Sequence, residues 1–186
     1  MKVLHSLSIM LVMTFLTITS CTVDEPVMPN EEEIITTLRY VLTPTGGGDA
    51  VIFEFQDLDG DGGNQPIFSE GTLAANTTYT GSVELLNEAV SPVEDITVEI
   101  KAEAEEHQFF YETTAANLTI GYNDSDANNQ PVGLETAVNT GAATTGTLTI
   151  TLRHEPLKSA ANVATGDIAN AGGETDIEVT FNVTIQ

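Results

Sequence analysis

From Asp176 to Ile185 the sequence alternates without a break. Ile177, Val179, Phe181, Val183 and Ile185 fall on one parity, and Asp176, Glu178, Thr180, Asn182 and Thr184 fall on the other. Successive strand side chains point to opposite faces, so a strand with one buried and one solvated face is the element that sorts these residues. A helix would scatter the same apolar residues around its axis. Thr145 to His154 repeats the pattern, with Leu148, Ile150 and Leu152 inward, Thr147, Thr149, Thr151 and Arg153 outward, and His154 on the inward parity. Ile34 to Thr43 places Ile34, Leu38, Tyr40 and Leu42 on one face, with Thr36 a polar exception there, and Arg39 and Thr43 opposite. Val51, Phe53 and Phe55 form the inner face of a second strand. The turn Pro44-Thr45-Gly46-Gly47-Gly48-Asp49 between them predicts a hairpin. Thr77 to Asn87, with Tyr79, Val83 and Leu85 inward, and Leu118, Ile120 and Tyr122 mark further strands. Half-buried antiparallel strands at this spacing predict a mainly β chain, an antiparallel β-sandwich of immunoglobulin-like type.

Asp95 to His107 carries two patterns. Ile96, Val98, Ile100, Ala102 and Ala104 fit a strand, while Val93, Ile96, Ile100, Ala104 and His107 fit a helical stripe. Ser91-Pro92-Val93-Glu94 has the form of a capping box with proline at the first helical position. The Ala, Glu and Lys content of residues 99–106 also favours helix. The expectation is one short helix covering the sheet over residues 94–107, then a strand from Gln108 to Thr113. The acidic residues Glu103, Glu105 and Glu106 at its negative end oppose it.

The N-terminus fixes the address. Lys2 precedes an apolar run from Ile9 to Ile18, too short to span a bilayer and suited to a cleaved signal segment. The run closes on Ile18-Thr19-Ser20-Cys21, the form of a lipobox, and Cys21 is the chain's one cysteine. The organisation expected is a lipoprotein signal peptide at residues 1–20, a lipidated acidic tether at 21–33 and a single β-sandwich domain at 34–186. Asp24 and Glu25 behind Cys21 resemble the surface-export signal of Bacteroidota lipoproteins. They imply an outer-membrane lipoprotein on the cell surface or the periplasmic face.

The leader removes one of the five basic residues and none of the 28 acidic ones. So acidic a surface repels phosphate backbones and excludes nucleic acid as a partner, and it attracts cations. The absence of tryptophan removes the best stacking platform for sugars.

Two sets of residues offer ligands. Asp57-Leu58-Asp59-Gly60-Asp61-Gly62 has the alternate carboxylates and sixth-position glycine of a calcium loop, but Phe68 stands where a bidentate acid belongs. A second loop places Asp124, Asp126 and Asn128 at alternate positions and Glu135 at the twelfth. The same residue types also simply form turns. The two loops echo each other, as in Asn64-Gln65-Pro66 and Asn129-Gln130-Pro131, and raise the idea of a duplicated strand–loop–strand unit. The second set is His107 and His154, the two histidines behind the leader. On a helix Glu103 would lie one turn before His107, giving with His154 a two-histidine, one-carboxylate site for zinc, copper or iron, or two axial ligands for haem. No G-x-S-x-G motif and no free thiol are present behind the lipidation site, so no hydrolase triad assembles and the reading is non-enzymatic.

These residues resemble a family of Bacteroidota lipoproteins of about this size, often labelled "type 1 periplasmic binding fold superfamily protein". The likeness rests on the lipobox, Glu32-Glu33-Ile34-Ile35-Thr36-Thr37, the Asp57 to Gly62 loop, Glu106-His107-Gln108-Phe109-Phe110-Tyr111, Leu152-Arg153-His154 and Ala171-Gly172-Gly173-Glu174-Thr175-Asp176. The two α/β lobes named by that label do not fit a chain this short and β-rich. The resemblance implies a role beside a TonB-dependent outer-membrane receptor, as an accessory in nutrient, metal or haem capture. The alternative is a structural or adhesion module stiffened by calcium.

Overall fold

A computed structural model describes residues 34–60 and 63–186. The strands follow the alternating segments: β1 Thr37–Pro44, β2 Val51–Gln56, β3 Ile67–Ser69, β4 Thr72–Leu73, β5 Thr78–Asn87 and β6 Glu94–Asp95. After helix α1 (Ile96–Ala102) come β7 His107–Thr113, β8 Leu118–Tyr122, β9 Glu135–Thr140, β10 Thr144–His154 and β11 Glu174–Ile185. One sheet runs β3-β2-β1-β5-β9-β8 with β6 attached to β5, and the other runs β4-β11-β10-β7. All pairings are antiparallel except β4 on β11. The expected β-sandwich with one short helix is what forms, and the β1–β2 hairpin pairs Leu38 with Phe55 and Tyr40 with Phe53. No described helix is long and apolar enough to cross a membrane.

The inward parities of both sheets meet in one core. Tyr40 of β1 packs on Tyr111 of β7 with ring centres 5.5 Å apart, and Phe53 of β2 meets Phe181 of β11 edge-on at 5.7 Å. Leu38, Leu85, Phe109, Ile150 and Leu152 are fully buried around them. Buried hydroxyls on the inner face are satisfied: Tyr40 and Thr136 share a 2.7 Å hydrogen bond, and Thr140 donates to the Ala74 carbonyl at 2.7 Å. Thr36, the exception in the first strand's pattern, donates to the Leu86 carbonyl and accepts from the Glu88 amide.

The helix is shorter than its stripe. Glu94 and Asp95 pair with Asn87 and Leu86 in the sheet, so the chain is extended there and the helix starts at Ile96. Asp95, not Ser91, is the cap; its carboxylate accepts the Thr97 amide at 3.1 Å. Ile96 and Ile100 are buried, and Thr97 Oγ1 binds the Leu85 amide and carbonyl, which fastens the helix to β5. The helix stops at Ala102, and His107 opens β7.

The first four residues of strand β7 are buried on both faces. Phe109 points into the core, while Phe110 packs beneath Val163 and Ala171 of the segment that joins β10 to β11. Gln108 donates to the Val163 carbonyl at 2.9 Å. At this end of the sandwich the first described residues also enter: Ile34 and Ile35 share a shallow pocket with Phe55 and with Ile177 of β11. The turn after β1, the turn into β10 and the C-terminal Gln186 lie at the other end.

Candidate metal centre

His107 and His154 are brought together by strand register. They are directly opposed where β7 and β10 pair, on the core-facing parity at the end of the sheet. Their rings stack with centres 4.7 Å apart and planes 25° apart. His107 is fully buried and His154 is 7% exposed. The inward parity expected for His154 holds. His107 reaches the same place from the first residue of a strand rather than from a helix.

The third member is Asp176, and alternation placed it on the wet face. The pairing of β10 with β11 runs in step through Leu152 and Ile177, then resumes at Arg153 and Thr175. Asp176 is thus an extra residue in β11, a β-bulge, and a bulge shifts the parity of what it inserts. Its carboxylate turns inward, only 3% exposed, and lies 3.8 Å from His107 Nε2 and 4.0 Å from His154 Nδ1. Gly173 supports the turn. Its φ is +71°, and a Cβ there would sit 2.1 Å from the His154 carbonyl oxygen. No other residue type has both that backbone freedom and that little bulk.

Glu103 does not join this group. With the helix ended at Ala102, Glu103 is its C-cap, and its backbone carbonyl rather than its carboxylate meets His107, 3.2 Å from Nδ1. A carbonyl only accepts, so Nδ1 carries a proton, and in the neutral ring Nε2 then presents a lone pair. That lone pair faces Asp176 Oδ2, another acceptor. Two buried acceptors that face each other repel, and a cation bound by both would relieve that repulsion.

The two nitrogen–carboxylate separations exceed by about 0.5–0.7 Å the ~3.3 Å ligand–ligand edge of a zinc tetrahedron with ~2.0–2.1 Å bonds, and the three ligand atoms lie within 4.8 Å of one another, so the group must contract to hold an ion. Each ring nitrogen's lone pair lies in its ring plane, so the rings must also turn out of their stack for both to meet one ion. Haem fits poorly. Axial histidines must approach from opposite faces of a flat macrocycle, whereas these rings lie side by side.

A second group borders the first. His154 Nε2 is 3.9 Å from Glu106 Oε2, and Glu155 completes a cluster whose ligand atoms all lie within 4.8 Å of one another. The Glu155 amide donates to the Glu106 carbonyl at 2.6 Å, which closes the ends of β7 and β10 together. Glu106 also lines a half-open cleft of about 540 Å³ between the end of α1 and the second acidic loop, with Glu103, Glu105 and Glu135 around it.

The calcium candidates are arranged differently. In the second loop Asp126 Oδ1 accepts the Asn128 and Gln130 amides, and Oδ2 accepts Lys158 Nζ at 2.9 Å. Lys158 also donates to the Ala104 and Pro131 carbonyls. The Asp126 carboxyl is held below its ordinary value; burial opposes this, while the Gln130 amide and the Lys158 ammonium outweigh burial. Asp124 accepts the Gly133 and Glu135 amides. Asn128 and the Glu135 side chain are exposed. An ammonium thus stands where the spacing expected a calcium ion, and Asp124 turns its oxygens to backbone amides.

In the first loop Asp57 accepts the Asp59 and Gly60 amides. Asp59 accepts the Asn64 amide and side chain, and the amide first of all lowers its carboxyl from the ordinary value. Asp61 lies outside the described residues, as do Cys21, the signal peptide and the tether. The two loops use different bonding offsets, so the echo between them is one of turn chemistry.

Neither family models, nor curated proteins, nor solved structures yield a match to this chain. The candidate centre therefore stands on its own geometry.

Proposed function

We propose that this protein is a lipid-anchored binding protein of the bacterial cell envelope that captures a divalent transition-metal ion between His107, His154 and Asp176. The observation that carries the reading is the facing of His107 Nε2 and Asp176 Oδ2 at 3.8 Å, with the other ring nitrogen of His107 engaged by the Glu103 carbonyl. A histidine ligand fixed by a backbone carbonyl is the usual outer shell of a metal site. Two imidazoles and one carboxylate select zinc, cobalt, nickel, copper or ferrous ions over calcium. The acidic surface would draw cations in, and the lipobox at Cys21 would hold the domain at a membrane. The acidic pair behind Cys21 and the family resemblance support a role as an accessory to nutrient uptake beside a TonB-dependent receptor.

Titration calorimetry of the purified protein with zinc and cobalt tests the metal reading. One ion per chain is expected. His107→Gln and Asp176→Asn should each weaken it by roughly 100-fold, the upper end for losing a ligand or its support. Absence of binding, or equal binding by both variants, would leave His107 as a protonated partner of Asp176 and end the proposal. Labelled palmitate should enter the wild type and not Cys21→Ala; an unlabelled wild type would remove the anchor.

A further inference from the structure

His154 faces both clusters, one through each ring nitrogen. Nδ1 is 4.0 Å from buried Asp176, and Nε2 is 3.9 Å from Glu106, an exposed side chain. The side chains of Asp176 and His107 are nearly or fully buried, so an ion arriving from outside meets Glu106 and Glu155 first. We propose that Glu106, Glu155 and His154 Nε2 form an outer loading site for a divalent ion, and that His154 hands the ion inward by exchanging one ring nitrogen for the other. This deepens the metal reading above and rests on it.

The chemistry of imidazole restricts how the two tiers are used. A neutral ring has one lone pair and one N–H. An ion held on Nε2 leaves the proton on Nδ1; an ion held on Nδ1 requires the proton on Nε2. The hand-over therefore breaks one metal–nitrogen bond, forms another, and relocates a single proton across the ring. Nothing is oxidised and no proton is gained or lost overall. A neutral His154 therefore serves one tier at a time, and one ion per chain is expected. The cleft beside Glu106, lined also by Glu103, Glu105 and Glu135, raises the local concentration of cations at the entrance. The Glu155 amide bond to the Glu106 carbonyl keeps the two outer carboxylates at the mouth of the inner site.

Stopped-flow mixing with Co(II), read by its visible ligand-field absorption, tests this on the full chain. The double variant Glu106→Gln/Glu155→Gln should lower the association rate at least 10-fold. A control that removes the same charge elsewhere, Asp49→Asn/Glu112→Gln, should lower it less than 3-fold, which separates a loading site from general attraction. The wild type should bind one Co(II). Two ions per chain would overturn the exclusion. An unchanged association rate in the Glu106/Glu155 variant would overturn the hand-over, and so would a change confined to the dissociation rate. If instead the wild type binds no Co(II), or His107→Gln binds as tightly as wild type, it is the inner site that fails.

Discussion

Lys158→Met is the sharpest test of how the acidic second loop is held. The ammonium is almost wholly buried and has three acceptors: the Ala104 carbonyl at 2.5 Å, Asp126 Oδ2 at 2.9 Å and the Pro131 carbonyl at 3.1 Å. Asp126 is itself only 1% exposed. Methionine keeps most of the stem volume and removes the charge, so the carboxylate is left buried with its two backbone amides alone. Removing one partner of a buried ion pair costs about 3–5 kcal/mol. For a domain of this size that is a fall in Tm of roughly 6–20 °C.

Two further measurements isolate the pair. Lys158→Met/Asp126→Asn should cost less than the sum of its single variants, with a coupling of roughly 1–3 kcal/mol in urea denaturation. The pH dependence has a definite sign. Asp126 has a native value below its ordinary one, so its contribution is full above about pH 4 and is lost as pH falls through the native value. The gap between wild type and Lys158→Met should therefore narrow as pH falls from 6 towards 3. A single variant within 1 kcal/mol of wild type, or a gap independent of pH, would refute the reasoning.

Other outcomes follow from the same geometry. Gly173→Ala adds a Cβ at 2.1 Å from the His154 carbonyl at a φ of +71°, so it should cost about 2–4 kcal/mol and weaken Co(II) binding by displacing Asp176 or His154. Phe181→Ala, at a fully buried position packed edge-on against Phe53, should cost about 3–5 kcal/mol by chemical denaturation. Asp95→Ala should cost about 1 kcal/mol through loss of the helix cap, whereas Ser91→Ala should stay within about 0.5 kcal/mol. Equal effects at Asp95 and Ser91 would return the helix start to the earlier position.

What could be read from the chain depended on how regular each segment is. Strands β10 and β11 carry an apolar residue at every second place, so their faces were plain. Strand β9 was not, because two of its inward places are Thr136 and Thr140, whose hydroxyls are buried by bonding to Tyr40 and to backbone carbonyls. Polarity alone gives no parity signal there. The helical stripe through Val93 and His107 misled because sheet pairing at Glu94 and Asp95 overrode a capping sequence upstream. His154 was placed correctly since nothing interrupts β10. Asp176 was assigned to the wrong face, because one inserted residue reverses a period-two pattern without changing composition. The nearby Gly172-Gly173 pair is the one local sign of irregular backbone. In the second acidic loop the positive charge beside Asp126 comes from a distant lysine, Lys158, and no spacing rule finds it.

Ile34 and Ile35 line a shallow pocket with Ile177 of β11, so the first described residues lie at the pole that carries the histidines. With Cys21 acylated as proposed, 13 residues separate the lipid from Ile34, and a chain of that length reaches no farther than about 45 Å. Leash and ligands then share one pole. An ion captured by the histidines would then sit at the tethered end of the domain.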